Sequence, residues 1–264
     1  MYSNYQEFLQ KNENIDITRL PFKSNNLYCS ILEHVSPQHG MEYLKLILSE
    51  FPEIKKTTIT NFCNLNDKYG FPNKYKFNEQ NFEIICSPTS LRYIYHALTI
   101  LTYFKTTNCK NIVEVGCGYG GLCLCINYFM KFFSISIDSY NIIDLKEPRN
   151  LIEKYITLHK NNITTNVNYH NSETYGNNVN NEKLFFISNY CYTEIDKVHN
   201  KNYTDSLLPK TLNGFLVWQN GGNKGAYPIN EAETIIKKKI VNVIEEKPQT
   251  DAGYHIYKNY FVYF

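Results

Sequence analysis

No run of about 18 or more consecutive apolar residues occurs in the sequence, which argues against a membrane-spanning helix. The N-terminus, Met1-Tyr-Ser-Asn-Tyr-Gln-Glu-Phe-Leu-Gln10, lacks a basic n-region and an apolar h-region, so no secretory signal is visible. There is no C-x-x-C pair among the eight cysteines and no matching histidine spacing, so no metal site is expected. Cys117, Cys123 and Cys125 read as small buried thiols. Scattered cysteines of this kind fit a reducing, cytoplasmic setting. A charge excess of one sign is also missing: the formal net charge is +2. A dedicated nucleic-acid binder needs a basic stripe to displace phosphate counterions, and the only dense basic run, Lys237-Lys-Lys239, reads as a solvated helix end. Neither nucleic acid nor membrane is an expected partner, while a homodimer stays open. No repeat of fixed period and no Gly/Ser- or Pro-rich linker divides the chain.

What is there, over 264 residues of which 43% are hydrophobic, suits one large globular domain with an extension. Residues 1–85 are irregular in pattern and rich in Asn, Lys and aromatics. Helical spacing over Met41–Phe51 and Thr58–Leu65, and a turn at Tyr69-Gly-Phe-Pro-Asn73, suggest a mainly helical accessory cap. By position, this cap is expected to cover the acceptor side of a site and exclude water from it.

The signals sharpen over 86–264. Ser87-Pro-Thr-Ser90 is a helix start, followed by apolar positions at Leu91, Ile94, Tyr95, Leu98 and Leu101. Asn111-Ile-Val-Glu-Val115 is a β-branched strand, and Gly116-Cys-Gly-Tyr-Gly-Gly121 a glycine turn before the almost wholly apolar stretch Leu122–Phe133. Further strands are expected within Ser134–Leu145 and at Asn166–His170, Leu184–Ser188, Gly214–Trp218, Ile240–Ile244 and Tyr254–Phe264, with a helix across Asn150–His159. Strands alternating with helices, several continuously apolar, predict an α/β fold: a doubly wound, mostly parallel seven-stranded sheet with an antiparallel C-terminal strand.

Glycines permit a sharp strand-to-helix turn and close ligand approach. The loop satisfies two patterns, the dinucleotide fingerprint with Gly116, Gly118 and Gly121 and a methyltransferase form with Gly116, Gly118 and Gly120. Glu114 separates them. A carboxylate inside an apolar strand needs a cationic or hydrogen-bonding partner; the ammonium of a methionine moiety supplies one, whereas a pyrophosphate would be repelled. Pairing with an Arg or Lys of the cap is the bland alternative. An acidic residue ending the next strand should bind ribose hydroxyls, and on spacing alone both Asp138 and Asp144 qualify.

Ile112-Val-Glu-Val-Gly-Cys-Gly-Tyr-Gly-Gly-Leu122 resembles motif I of the class I S-adenosylmethionine-dependent methyltransferases. With Ser87-Pro-Thr-Ser-Leu-Arg-Tyr93, Tyr140-Asn-Ile-Ile-Asp-Leu145 and Phe186-Ile-Ser-Asn-Tyr-Cys-Tyr-Thr-Glu194, the ordered blocks resemble more narrowly a family of sugar O-methyltransferases, from about residue 60 onwards. The resemblance implies a Rossmann-like methyltransferase fold, S-adenosyl-L-methionine as cofactor and a hydroxyl of a sugar or nucleotide-sugar as acceptor. It also implies that Asp144 is the ribose ligand, with Leu145 beside the adenine. The chain departs from the family in reading Asp-Leu-Lys-Glu-Pro where Asp-Leu-Pro-Glu is usual.

Ligands of open parallel sheets lie beyond the carboxyl ends of the strands. The expected cofactor residues are therefore Glu114, Gly116, Cys117, Gly118, Tyr119, Gly120, Asp144, Leu145, Ser172, Ser188 and Asn189, with Arg92 in support. Tyr190, Tyr192, Trp218 and Gln219 are expected to meet the acceptor, the rings offering flat faces to a sugar. A sugar hydroxyl is a poor nucleophile near neutral pH and calls for a general base: Glu194 first, then His170, then His96, with Asp196 as a supporting group. Three rival readings exist: a nicotinamide-dependent oxidoreductase, a catalytically silent methyltransferase-like binding module, and a methyltransferase acting on protein or another small molecule.

Overall fold

A computed structural model describes residues 2–30, 35–220, 227–250 and 258–264. The chain divides into two compact units, one of Met1–Thr102, Gly118–Ile135 and Asn150–Thr164, the other of Tyr103–Cys117, Ser136–Arg149 and Thr165–Phe264.

The first unit is mainly helical. Helices α1 (Tyr2–Lys11) and α2 (Asn26–Cys29) precede α3 (Pro37–Glu50) and α4 (Lys56–Asn66). Ser36 caps α3, its hydroxyl accepting from the His39 N–H at 3.1 Å with Pro37 in the first turn, the preferred start chemistry. Tyr43, Leu44 and Ile47 then fall on one buried face. Where the sequence reads as irregular, β1 (Tyr75–Glu79) and β2 (Phe82–Cys86) form an antiparallel hairpin with Glu79 paired to Phe82. Gln80 and Asn81 both take positive φ, which matches the two-residue turn that suits strand twist. Ser87 starts α5 (Pro88–Phe104), accepting from the Ser90 N–H at 3.2 Å. Helix α6 (Gly121–Phe129) also belongs here, as does the greater part of α7 (Lys146–Leu158).

The second unit holds a seven-stranded sheet of β3 (Asn111–Val115), β4 (Ser139–Asp144), β5 (Asn166–Asn171), β6 (Leu184–Asn189), β7 (Thr211–Gln219), β8 (Asn242–Glu245) and β9 (Asn259–Tyr263), in the order β5-β4-β3-β6-β7-β9-β8. Pairing is parallel from β5 through β7, and β9 runs antiparallel to both of its neighbours. The alternation of side chains puts Val113, Val115, Ile143, Leu184, Phe186, Leu216, Val262 and Phe264 in one core cluster. The same cluster takes in Tyr192 of α8 (Cys191–Glu194), Tyr203 of α9 (Lys197–Ser206), and Ala232 and Ile236 of α10 (Ala232–Ile236). Parallel strands joined by helical connections, with one antiparallel strand near the end, match the α/β expectation. Of the expected last strand Tyr254–Phe264, Tyr254 to Tyr257 lie outside the described residues. Among the described residues no helix is long and apolar enough to cross a membrane.

Candidate functional site

Strand β3 lies between β4 and β6, so the connections leaving its two neighbours run to opposite sides. This is the switch point at which open α/β sheets bind ligands. Three strand ends are tied together there. The Gly116 N–H donates to the Ile143 carbonyl at 3.1 Å, the Ser188 hydroxyl donates to the Val115 carbonyl at 2.8 Å, and the Cys117 N–H donates to Asp144 Oδ2 at 2.7 Å.

Gly116 has φ +77°, and a Cβ built on it would stand 2.3 Å from Cys191 Cβ. Both the left-handed backbone and the close approach therefore demand glycine. Gly118 and Gly120 also have positive φ, and Gly120 precedes the first residue of α6. Cys191, at the start of α8, falls within the Phe186–Glu194 block but is assigned no role from the sequence. It faces Gly116, and burial raises its thiol pKa well above the ordinary value, with the charges of Asp144, Glu194 and Glu114 adding to the shift.

Asp144 ends β4. Its Oδ1 accepts the Leu145 N–H at 2.8 Å while Oδ2 holds the glycine loop through Cys117. Burial raises its pKa to about 6, against the pull of those two amides. Each carboxylate oxygen keeps further lone-pair capacity.

Glu114 is 2% exposed and accepts the Tyr140 hydroxyl at 2.6 Å. Burial raises its pKa to about 8, the Asp144 charge adds to the shift, and the Tyr140 bond opposes it. Among the described residues it forms no ion pair with a Lys or Arg; the β4 tyrosine and the Cys117 thiol are its hydrogen-bond partners.

The remaining expected residues separate by unit. Ser172 opens a short 3-10 turn after β5, its carbonyl accepting from Tyr203 at 3.3 Å. Ser188 also accepts the Tyr192 N–H at 3.1 Å, so its hydroxyl joins β6, β3 and α8, and Asn189 follows at the strand end. Glu194 and Gln219 come together, Gln219 Nε2 donating to Glu194 Oε1 at 2.9 Å. His170 Nε2 lies 3.1 Å from Asn141 Oδ1, and burial together with the Arg149 charge lowers its pKa. Arg92, His96 and Tyr119 belong to the helical unit. There His96 is buried edge-on to Tyr43 at 5.8 Å, and burial and then Arg92 push its pKa well down.

Tyr192 and Trp218 do not offer open faces to an acceptor. Both are fully buried in the core cluster. The Tyr192 hydroxyl pairs with Thr204 at 2.5 Å and the Trp218 indole N–H donates to the Tyr227 carbonyl at 2.9 Å. Alternation along β7 sends Trp218 to the face that packs on Tyr192 and Tyr227. Tyr190 differs: half-buried, with φ +67°, it donates its hydroxyl to Glu246 and lies 2.8 Å from the Thr250 hydroxyl. Glu246, 1% exposed, also accepts from Asn259 at 2.9 Å and from the Thr250 N–H at 3.2 Å, and burial raises its pKa. In the sequence it lies in the segment Glu245–Gly253 between the last two expected strands and carries no assigned role.

No model of a protein family matches the chain, and no curated protein matches it in sequence. Solved structures do. The methyltransferase domain of bacterial CtHen1 is similar over 64% of this chain and 96% of its own, at 11% identity and TM-score 0.48. A SAM-dependent methyltransferase from Aquifex aeolicus is similar over 63% and 87%, at 15% identity and TM-score 0.46. The N-terminal domain of EvdMO1, solved in the presence of SAH and D-fucose, is similar over 65% and 81%, at 10% identity and TM-score 0.46. The strand order β5-β4-β3-β6-β7-β9-β8, with β9 antiparallel, is a Rossmann-like, doubly wound arrangement.

Proposed function

We propose that the protein is an S-adenosyl-L-methionine-dependent methyltransferase acting on a hydroxyl, with a sugar or nucleotide-sugar as acceptor. The observation that carries the cofactor is Asp144. A half-buried carboxylate at the end of β4, oriented by two backbone N–H groups, stands beside a glycine turn at the switch of strand order. That is the oriented acceptor a ribose diol needs for its hydroxyls. Glu114 supplies a buried carboxylate suited to an ammonium, which a pyrophosphate-bearing dinucleotide would not satisfy.

When bound, the cofactor supplies a methyl group already activated by its sulfonium. What remains for the protein is to hold donor and acceptor in line at attack distance and to receive a proton. Glu194 is the group proposed for the proton, half-buried and fixed in orientation by Gln219. His170, lowered in pKa and therefore neutral near pH 7, is second. His96 is enclosed in aromatic packing of the helical unit, which disfavours it. The sugar acceptor is supported by the sequence blocks that resemble sugar O-methyltransferases. The half-buried ring of Tyr190 is the aromatic surface left to meet it.

The test is calorimetric titration of the full chain with S-adenosylmethionine, S-adenosylhomocysteine and NAD, in wild type and Asp144→Ala. Micromolar binding of the first two, weakened by at least about tenfold in the variant, is the expected result. It would lead to a screen of nucleotide-sugars for uptake of labelled methyl. Binding of NAD alone, or of none of the three by folded protein, would overturn the reading.

A further inference from the structure

The helical unit contains a buried cation that the reading above does not use. Lys23 is 1% exposed. Its ammonium donates to the Asn66 carbonyl and lies 4.1 Å from the ring centroid of Tyr119 and 5.0 Å from that of Tyr155. Phe22 packs on Tyr119 from the same strand of chain, at 5.6 Å between centroids. The Asn66 side chain closes the arrangement: Nδ2 donates to the Tyr119 hydroxyl at 2.9 Å and to Ser90 Oγ at 2.7 Å, and Tyr155 donates to Asn66 Oδ1 at 2.9 Å. An ammonium is costly to bury. Here the compensation comes from aromatic faces and a carbonyl, an arrangement in which a desolvated cation–π contact is strongest.

Tyr119 is the residue between Gly118 and Gly120. Those glycines hold φ of +62° and +89°, conformations with little intrinsic restraint, so the tyrosine is what pins the turn. We propose that Lys23 is a positioning residue for the glycine loop. Its caged ammonium, with Asn66, fixes the Tyr119 ring and thereby pre-forms the turn that receives the cofactor. Within the helical unit, the N-terminal segment then supports the Tyr119 part of the glycine loop. This inference rests on the S-adenosylmethionine reading of the same loop.

The experiment compares wild type, Lys23→Met, Lys23→Gln and Tyr119→Leu, with Ile59→Ala as a control for destabilisation at a buried α4 position. Two readouts are taken on the full chain well below its Tm: S-adenosylhomocysteine affinity by calorimetry, and amide hydrogen exchange over residues 118–122 without ligand. Expected are an affinity loss of about tenfold in Lys23→Met, a similar loss in Lys23→Gln, which can keep the hydrogen bond to Asn66 but not the charge, and faster exchange across the loop. Adding Lys23→Met to Tyr119→Leu should change neither readout further. The Ile59→Ala control should lower Tm while leaving both unchanged. If the Lys23 variants lower Tm as that control does but bind and exchange like wild type, the proposal is wrong. If wild type binds no S-adenosylhomocysteine, the cofactor reading falls and takes the affinity claim with it. Unchanged loop exchange in the variants would then refute the positioning role separately.

Discussion

Replacing Glu114 by Gln keeps an acceptor for the Tyr140 hydroxyl while removing a titrating group from the core. In the folded protein burial raises the Glu114 pKa from the ordinary carboxyl value to about 8. A carboxyl raised in this way binds its proton more tightly folded than unfolded, so it lowers stability as pH rises from the unfolded value through the folded one. A rise of that size corresponds to ~5 kcal/mol, most of it falling between pH 5 and pH 8 by the same linkage. Chemical denaturation of wild type and Glu114→Gln across that range should therefore show curves that diverge, the variant gaining relative stability toward pH 8. Asp144, raised to about 6, titrates in both proteins and largely cancels in the difference.

The same group makes a second demand on the cofactor reading. At pH 7 a carboxyl of pKa about 8 is about nine-tenths protonated, so a ligand ammonium that ionises Glu114 must release up to about 0.9 proton. Titrations with S-adenosylhomocysteine in buffers of different ionisation enthalpy measure that number directly. Glu114→Gln should abolish the release and weaken binding. Equal affinity in the variant, with no proton released by wild type, would show that Glu114 does not serve the ligand and is only a buried partner of Tyr140.

Gly116→Ala should destabilise by about 2–5 kcal/mol, summing a left-handed alanine with overlap against Cys191. Adding Cys191→Gly should recover the overlap part alone, read from denaturation midpoints. Trp218→Phe should cost about 2–4 kcal/mol through the lost indole bond to Tyr227 and the smaller ring. It should leave S-adenosylhomocysteine affinity unchanged; an altered affinity without loss of stability would contradict the placement of Trp218 in the core.

The parallel strands and the glycine loop were legible because each depends on local pattern. Leu184-Phe-Phe-Ile-Ser188 is apolar on both faces, as a buried parallel strand must be. The Gly116–Gly120 turn has its own composition. The β1–β2 hairpin was not legible, since its turn is Gln80-Asn81 rather than an Asn-Gly or Asp-Gly pair. Glu114 stood out as a charge in an apolar strand, but its partner Tyr140 sits 26 residues away and is found only through strand register. Tyr192 and Trp218 looked like acceptor platforms because aromatic rings at strand ends are chemically ambiguous, and only the direction of each side chain decides between core and cleft. Glu246 was missed for the converse reason: nothing in Glu245-Glu-Lys247 marks which of two adjacent glutamates turns inward.

The position of β9 has a consequence for how the sheet is assembled. Although β9 follows β8 in sequence, it sits between β7 and β8, and among the described residues β8 pairs with no other strand. The parallel strands β3 to β7 can therefore associate as synthesis proceeds, while β8 must wait, unpaired, for a partner made after it. Every residue of β8 is exposed in the finished sheet, so it brings little burial of its own to that step. Opening of β9 would release both strands as one cooperative unit, while the parallel part of the sheet kept its pairing.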